Sequence, residues 1–328
     1  MKVMEDNTSV KSCKSESNAI GGPADDGSLD WYMRNGPVPK YQPEMNRRRK
    51  ADEKREREAQ EQALRRKKIK DKEEDLLERE SAKLVELTHW TDNIRCVPNS
   101  ALRGSLFAAI HEKNAEMVEK LELHKSKSLV IQYSGRRLTQ ADLDVWEYCL
   151  HLVKGKKLGH RVYLDEREFL SALGRKPSGY AYKWLRNSLD RLFSCGVRIE
   201  NNDFVYGGSM LQEYYYDKNN RKYFIVLNPM LGRLYSAGYT YISWEERQRI
   251  GNKKPLALWL HGYISSHSKW VPHSIDCIRE YSGSNTSDRH KFKQNLKKAL
   301  DHLQSLGLIL GYSIDKKGML DIKMKPKT

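Results

Sequence analysis

The sequence writes one helix-into-strand phrase twice, as "WLRNSLDRLFSCGVRIE" at 184–200 and as "NLKKALDHLQSLGLILG" at 295–311. Leu185, Leu189, Leu192, Gly196, Val197 and Ile199 correspond to Leu296, Leu300, Leu303, Gly307, Leu308 and Leu310 at a constant offset of 111 residues. Upstream, Val162, Phe169 and Gly174 match Val271, Ile278 and Gly283 at an offset of 109, so the second copy carries two extra residues in its turn. Leucines spaced by four and three mark the buried stripe of an α-helix, and a following glycine ends such a helix. Shared periodicity alone would give part of this match, but the order of elements around it also repeats, which argues for two cores of one kind.

In the first copy "TQADLDVWEYCLHLVKG" (139–155) reads as a buried helix capped by Thr139. "DEREFLSALG" and "SGYAYKWLRNSLDRLFSCG" are two more helices parted by "RKPS", before the strand "VRIE" and the hairpin "YYYDKNNRKYFIVL", turning at Asp217–Asn220. The second copy runs "KKPLALWLHGYISSH", then "VPHSIDCIREYSG" with Pro272 near the helix start, then "NTSDRHKFKQNLKKALDHLQSLG". It closes on the hairpin "LILGYSIDKKGMLDIKMK", turning at Lys316–Gly318. Helix, short helix, long helix and hairpin is the order of a winged helix. The expected fold is therefore α+β: tandem winged-helix domains over 88–235 and 236–328, behind a charged helix at 44–87 and a disordered segment at 1–43. The charged helix has opposite charges three and four residues apart and too few apolar residues for a coiled-coil seam, so it reads as solvated or, alternatively, as a partner-binding helix.

Net charge is +16 over 328 residues. Residues 1–46 carry five basic and seven acidic groups, 47–80 fourteen and eleven, and 81–87 one of each, so +15 belongs to residues 88–328. The packed part, not a tail, is basic, which points to a polyanionic partner. Nucleic acid is favoured over a membrane: no apolar run nears the roughly 18 residues of a span, and "MKVMEDNTSVKSCKSES" has no signal-peptide core. Cys13, Cys96, Cys149, Cys195 and Cys277 lie far apart without a Cys-x-x-Cys, so reduced thiols are expected rather than disulfides or zinc.

Little supports catalysis. Gly174-x4-Gly179 begins like a phosphate loop, but Tyr180-Ala181 stands where Lys-Ser/Thr is needed. The ten histidines form no metal-binding spacing, and the 18 tyrosines read as strand and core residues. The expectation is no enzyme, no metal and no cofactor. A strand-nicking initiation enzyme would need clustered acids or a metal beside a tyrosine.

The face of each long helix opposite its leucines is basic and amide-bearing. In the first it holds Tyr180, Lys183, Asn187 and Arg191, with Arg186 on the flank and Arg175 and Lys176 in the preceding turn. In the second it holds Lys291, Gln294, Lys298 and His302, flanked by Lys297, with Ser287, Arg289 and His290 at the N-terminal end. Lys and Arg neutralise phosphate or bond guanine, Asn and Gln pair with adenine, and a helix N-terminus favours phosphate, which suits a helix in a major groove. Lys218 and Arg221, and Lys316 and Lys317, place cations on the two wings. A merely solvated basic face is the alternative for each helix.

Across about 88–325 the sequence resembles the TrfA family of plasmid replication initiator proteins. The segments that carry the likeness are "HWTDNIRCVPNSALRGSLFAA", "IQYSGRRLTQADLDVWEYCLHLVKG", "KPLALWLHGYISSH" and "GSNTSDRHKFKQNLKKALDHL". The resemblance implies tandem winged helices that bind directly repeated sequences (iterons) in double-stranded plasmid origin DNA and assist melting of an A·T-rich element. It also implies cooperation with host DnaA and the replicative helicase, a monomer–dimer equilibrium with inactive dimers, and the bacterial cytoplasm as location. Carried over by residue, Thr286, Ser287, Lys291, Phe292 and Gln294 make the second long helix the expected base reader, with Phe292 packed inward. The match at Tyr182, Leu185, Arg186, Leu189 and Arg191 is mainly skeletal. The alternative function is a winged-helix repressor on a palindromic operator, since a dimer reads two-fold symmetric DNA.

Overall fold

The computed structural model describes residues 42–87, 91–125, 130–153, 156, 159–200 and 205–326. Two compact units divide at residue 69. The described part of the first lies on α1 (Gln42–Leu87), which begins two residues ahead of the expected 44; residues 1–41, expected to be disordered, lie outside the described residues. From Asn46 to Ile69 every side chain is exposed, Leu64 and Ile69 included. Charges pair a turn apart, as in Arg49–Glu53 at 3.4 Å and Arg65–Glu61 at 2.7 Å. Such pairs supply a few tenths of a kcal/mol each, about 0.2–0.5, in place of an apolar face.

The second unit opens with β1 (Ile94–Pro98), the short α2 (Asn99–Leu102), β2 (Phe107–Ala108), β3 (Met117–Lys125), β4 (Val130–Arg136) and β5 (Leu138–Thr139). The first winged helix comprises α3 (Gln140–Leu152), β6 (Val162–Asp165), α4 (Glu166–Ala172) and α5 (Gly179–Ser194). After an insertion, β7 (Gly196–Glu200) and β8 (Val205–Gly208), it closes with β9 (Leu211–Asp217) and β10 (Lys222–Leu227). β11 (Tyr239–Ser243) and α6 (Trp244–Ile250) lead to the second winged helix. That domain is α7 (Pro255–Ser265), β12 (His273–Ser274), α8 (Ile275–Tyr281), α9 (Arg289–Ser305), β13 (Ile309–Ile314) and β14 (Met319–Met324).

The duplication is real in three dimensions. Both wing sheets have three antiparallel strands in the same order, β6-β10-β9 and β12-β14-β13. Asp165 and Ser274 cap the short helices 109 residues apart, and Gly174 and Gly283 both take positive φ (66° and 60°) just past them. Leu185, Leu189 and Leu192, like Leu296, Leu300 and Leu303, are wholly buried. Thr139 caps α3 as expected, in a reciprocal box with Asp142.

The echo fails after the helix. Gly307 takes φ +69°, so α9 turns back at once into the wing strand β13. Cys195 instead leaves α5 extended, and Gly196 starts β7, which pairs with β4 in a separate four-stranded sheet, β3-β4-β7-β8. Gly196, Val197 and Ile199 are therefore not structural equivalents of Gly307, Leu308 and Leu310. Val197 and Ile199 are buried with Ile131 and Tyr133 on the inner face of that sheet, whose open strand β4 recruits them.

A smaller correction concerns the start of a helix. Pro272 precedes β12 instead of starting α8, whose cap is Ser274, accepting from Cys277 N at 3.1 Å. β11 pairs with β1, and Ile242 and Trp244 join the first core while Ile250 joins the second. Cys96, Cys149 and Cys195 are buried free thiols.

The two winged helices are tied by polar contacts. Arg247, almost fully buried on α6, bonds Asp144 and takes the Gln140 carbonyl (3.2 Å) and Oε1 (3.0 Å) on α3; Gln140 Nε2 donates to Phe107 O at 2.6 Å. Trp259 Nε1 on α7 donates to Gly104 O at 3.1 Å, and Ala109 N donates to Ser282 O at 2.7 Å.

Candidate nucleic-acid interface

Helix α5 is fixed by its buried stripe and by Ser178, whose hydroxyl accepts from Ala181 N at 3.2 Å. Opposite, Tyr180 (78% exposed), Lys183 and Asn187 face solvent. Lys176 is exposed in the turn before the helix, while Arg175 is half-buried, its guanidinium 3.5 Å over the Trp184 ring. Burial lowers the Arg175 pKa from its ordinary value, against the fields of Asp144 and Glu112.

Arg191 does not belong to this face. The buried arc of α5 extends past the leucines to Trp184, Ser188 and Arg191, because α3 lies along that flank. Arg191 reaches Asp142 at 2.7 Å and Glu112 at 2.6 Å, and Ser188 donates to Asp142 at 2.5 Å. Burial works against its charge, but the two carboxylates outweigh it and raise the Arg191 pKa. Arg191 thus braces α5 and is buried instead of facing solvent with Lys183 and Asn187. Arg186 is likewise engaged, with Glu166 at 3.1 Å. On the first wing Lys218 is exposed, and Arg221 lies 5.5 Å over the Tyr182 ring.

Helix α9 buries Phe292 as expected. Its outward face presents exposed His290, Gln294 and Lys297, with Gln294 Nε2 2.9 Å from His290 Nε2. Lys291 and Lys298 stand beside them, exposed on the side toward the first domain, where they line a cleft. Ser287 lies in the loop before the helix, its carbonyl held by Arg279 at 2.8 Å. At the N-terminus, expected to favour phosphate, Asp288 caps the helix by accepting from Lys291 N at 2.6 Å. Arg289 is engaged with Asp276 on α8 at 3.0 Å. Lys316 and Lys317 are exposed at the tip of the second wing, where Gly318 turns at φ +83°.

The tertiary structure brings both long helices to one trough. Tyr180, Lys183 and Asn187 line a cleft of about 660 Å³, and Lys291, Asn295 and Lys298 line a second of about 570 Å³. Ile110, His111, Lys253 and Pro255 line both, so the clefts adjoin. Glu112, the one acidic side chain lining either, is bound by Arg191. The result is a positive surface running from one helix to the other.

Sequence reasoning missed several lining residues. Asn295 lies four residues past Lys291 and three before Lys298, a spacing legible on a helical wheel. Lys113, Arg136 and Lys253 gave no such signal, because they sit in connections or at a strand end whose direction only the packing sets. His302 lies beside Lys254, its Nδ1 3.0 Å from Lys254 Nζ, and donates from Nε2 to the Ile250 carbonyl at 3.0 Å. It secures the interdomain loop more than it faces the cleft.

Two winged helices sharing one basic trough define a tandem winged-helix protein. The chain belongs to the TrfA family: the family model described as TrfA protein matches residues 47–316. It is 24% identical over 235 residues to the plasmid replication initiator protein TrfA of Escherichia coli, a match covering 69% of this chain and 61% of that protein. The chain thus spans about three fifths of the length of that relative. Solved structures with related traces include domains 2 and 3 of RctB (16% identity, TM-score 0.48, 70% of this chain and 100% of that one). The Pi initiator protein in complex with iteron DNA is another (11% identity, TM-score 0.44, 62% of this chain and 100% of that one). No described helix is long and apolar enough to cross a membrane.

Proposed function

We propose that the protein is a plasmid replication initiator that binds directly repeated sequences in duplex origin DNA, using both winged helices at once. The observation that carries this reading is the convergence of Lys183 and Asn187 on α5 with Lys291 and Lys298 on α9 along one positive trough. Membership of the TrfA family supports it. Helix α9, with Lys291, Gln294, Asn295 and Lys298, reads bases in one major groove, helped by His290, Lys297 and the wing lysines Lys316 and Lys317. Helix α5 takes the neighbouring groove with Lys183, Asn187 and Tyr180, and Lys176 and Arg175 lie beside it.

Binding assists melting of an adjacent A·T-rich element and recruits host DnaA and the replicative helicase in the bacterial cytoplasm, with dimerisation limiting the active monomer. No catalytic step is assigned to the protein. Footprinting on DNA carrying direct repeats of about 17–22 base pairs, two helical turns wide, tests the reading. Protection of successive repeats by a monomer supports it. Protection of a lone palindrome by a dimer overturns it in favour of a repressor.

A further inference from the structure

The floor of the trough belongs to neither long helix and neither wing. It is made by residues 109–114, by Arg136 at the end of β4, and by the loop 252–254 between the domains. Lys113, Arg136 and Lys253 are exposed there, and among the described residues none has an ion-pair partner. The one acid lining the trough is committed elsewhere, Glu112 to Arg191 at 2.6 Å.

These cations are also held in place by backbone. Ala109 N donates to Ser282 O at 2.7 Å, Asn114 N to His111 O at 2.9 Å and Arg137 N to Glu116 O at 2.9 Å. The loop 252–254 is bounded by Gly251, at φ +88°, and by Pro255 at the first turn of α7. Lys254 is tied to His302, which leaves Lys253 as the loop's outward cation, lining both clefts.

We propose that this floor is a third DNA site: Lys113, Arg136 and Lys253 bind the phosphodiester backbone bordering the minor groove that lies between the two major-groove segments. The inference rests on the two long helices meeting one duplex. Helices entering successive major grooves from one side leave a minor groove facing the protein between them, with phosphates of both strands on its edges. Contacts to those phosphates carry no sequence information; they fix register and add affinity by releasing counterions.

The test is the triple variant Lys113→Ala/Arg136→Ala/Lys253→Ala in the full chain, titrated across a salt series on a cognate direct repeat and on a scrambled duplex. The expected result is affinity lower by about 100-fold on both duplexes near 0.15 M salt, with the log–log salt slope shallower by roughly 3 and specificity kept. The charge-keeping variant Lys113→Arg/Arg136→Lys/Lys253→Arg restores wild-type affinity and slope. If the alanine variant keeps the wild-type slope while Lys291→Ala weakens repeat binding, the floor is no DNA site and the proposed function stands. If the charge-keeping variant fails like the alanine one, the role is structural and the inference falls. If the wild-type protein does not prefer repeat DNA, the proposed function fails first.

Discussion

Arg191 and Asp142 meet at 2.7 Å between α5 and α3, with Asp142 fully buried and shared by the Ser188 hydroxyl and the Thr139 cap. Removing one member of such a pair strands a charge out of water. Arg191→Ala is therefore expected to cost about 3–5 kcal/mol of stability, read as a lower urea midpoint. The salt slope of DNA binding by the folded fraction should stay at the wild-type value. A slope shallower by about 1 would instead make Arg191 a phosphate contact.

Two glycines that share a left-handed backbone should respond differently to alanine. At Gly307, φ +69°, an added Cβ meets nothing within 4 Å, so only backbone strain of about 1 kcal/mol is expected. At Gly283, φ +60°, the same Cβ would lie 2.6 Å from Ser105 Cβ and 2.2 Å from Arg137 Nη2. Gly283→Ala should cost more, about 2–4 kcal/mol, by prising α8 from the segment that Ala109 anchors. Equal melting temperatures for the two variants would contradict this packing.

Glu147 is enclosed on α3, and neither of its carboxylate oxygens has a hydrogen-bond partner among the described residues. Burial pushes its pKa up to about 7 from an ordinary 4.5, helped by Asp144 and opposed by Arg247 and Arg95. A raised carboxyl pKa means that the unfolded chain ionises first. Its stabilising effect is complete below pH 4.5 and is lost as pH rises to about 7, on the order of 3 kcal/mol in all. Glu147→Gln should remove that slope and stabilise the protein at pH 8. Urea midpoints at pH 5.5 and 8 decide the matter; a wild-type slope in the variant would assign it to another group.

Because Arg247, Trp259 and Ala109 lock the two domains, the spacing between the DNA segments they read should be rigid. Inserting five base pairs at the centre of a repeat rotates one half by about half a turn. Affinity is expected to fall on the order of 100-fold, and a ten-base-pair insertion should not rescue it. Unchanged binding after either insertion would mean that the two domains read DNA independently.

On the long helices, Lys291→Ala and Asn187→Ala should each cost about 1–3 kcal/mol on the cognate repeat with relaxed specificity. Competition binding against single-base variants of the repeat shows which base pair each residue reads. Equal discrimination in both variants and wild type would remove these residues from base reading.

Periodic features were open to sequence reasoning because local geometry sets them. The leucine stripes, the cap at Thr139, both wing turns, the charged helix and the basic faces of α5 and α9 all follow from spacings of a turn or less. What followed the two helices did not. Near-identical phrases end in a wing at Gly307 and in an inserted sheet at Gly196, because the strand after Gly196 pairs with β4 and the strand after Gly307 with β14. Arg191 looked like a surface cation until α3 supplied Asp142 against it.

By itself, then, the sequence determined two winged-helix cores, each with a basic recognition helix, since burial of a leucine stripe selects the opposite face for solvent. Only the tertiary structure decided that the two faces share one trough and that Lys113, Arg136 and Lys253 floor it. Those residues stand far apart along the chain and come together through the buried contacts of Arg247, Trp259 and Ala109, interactions between distant residues that no local period records.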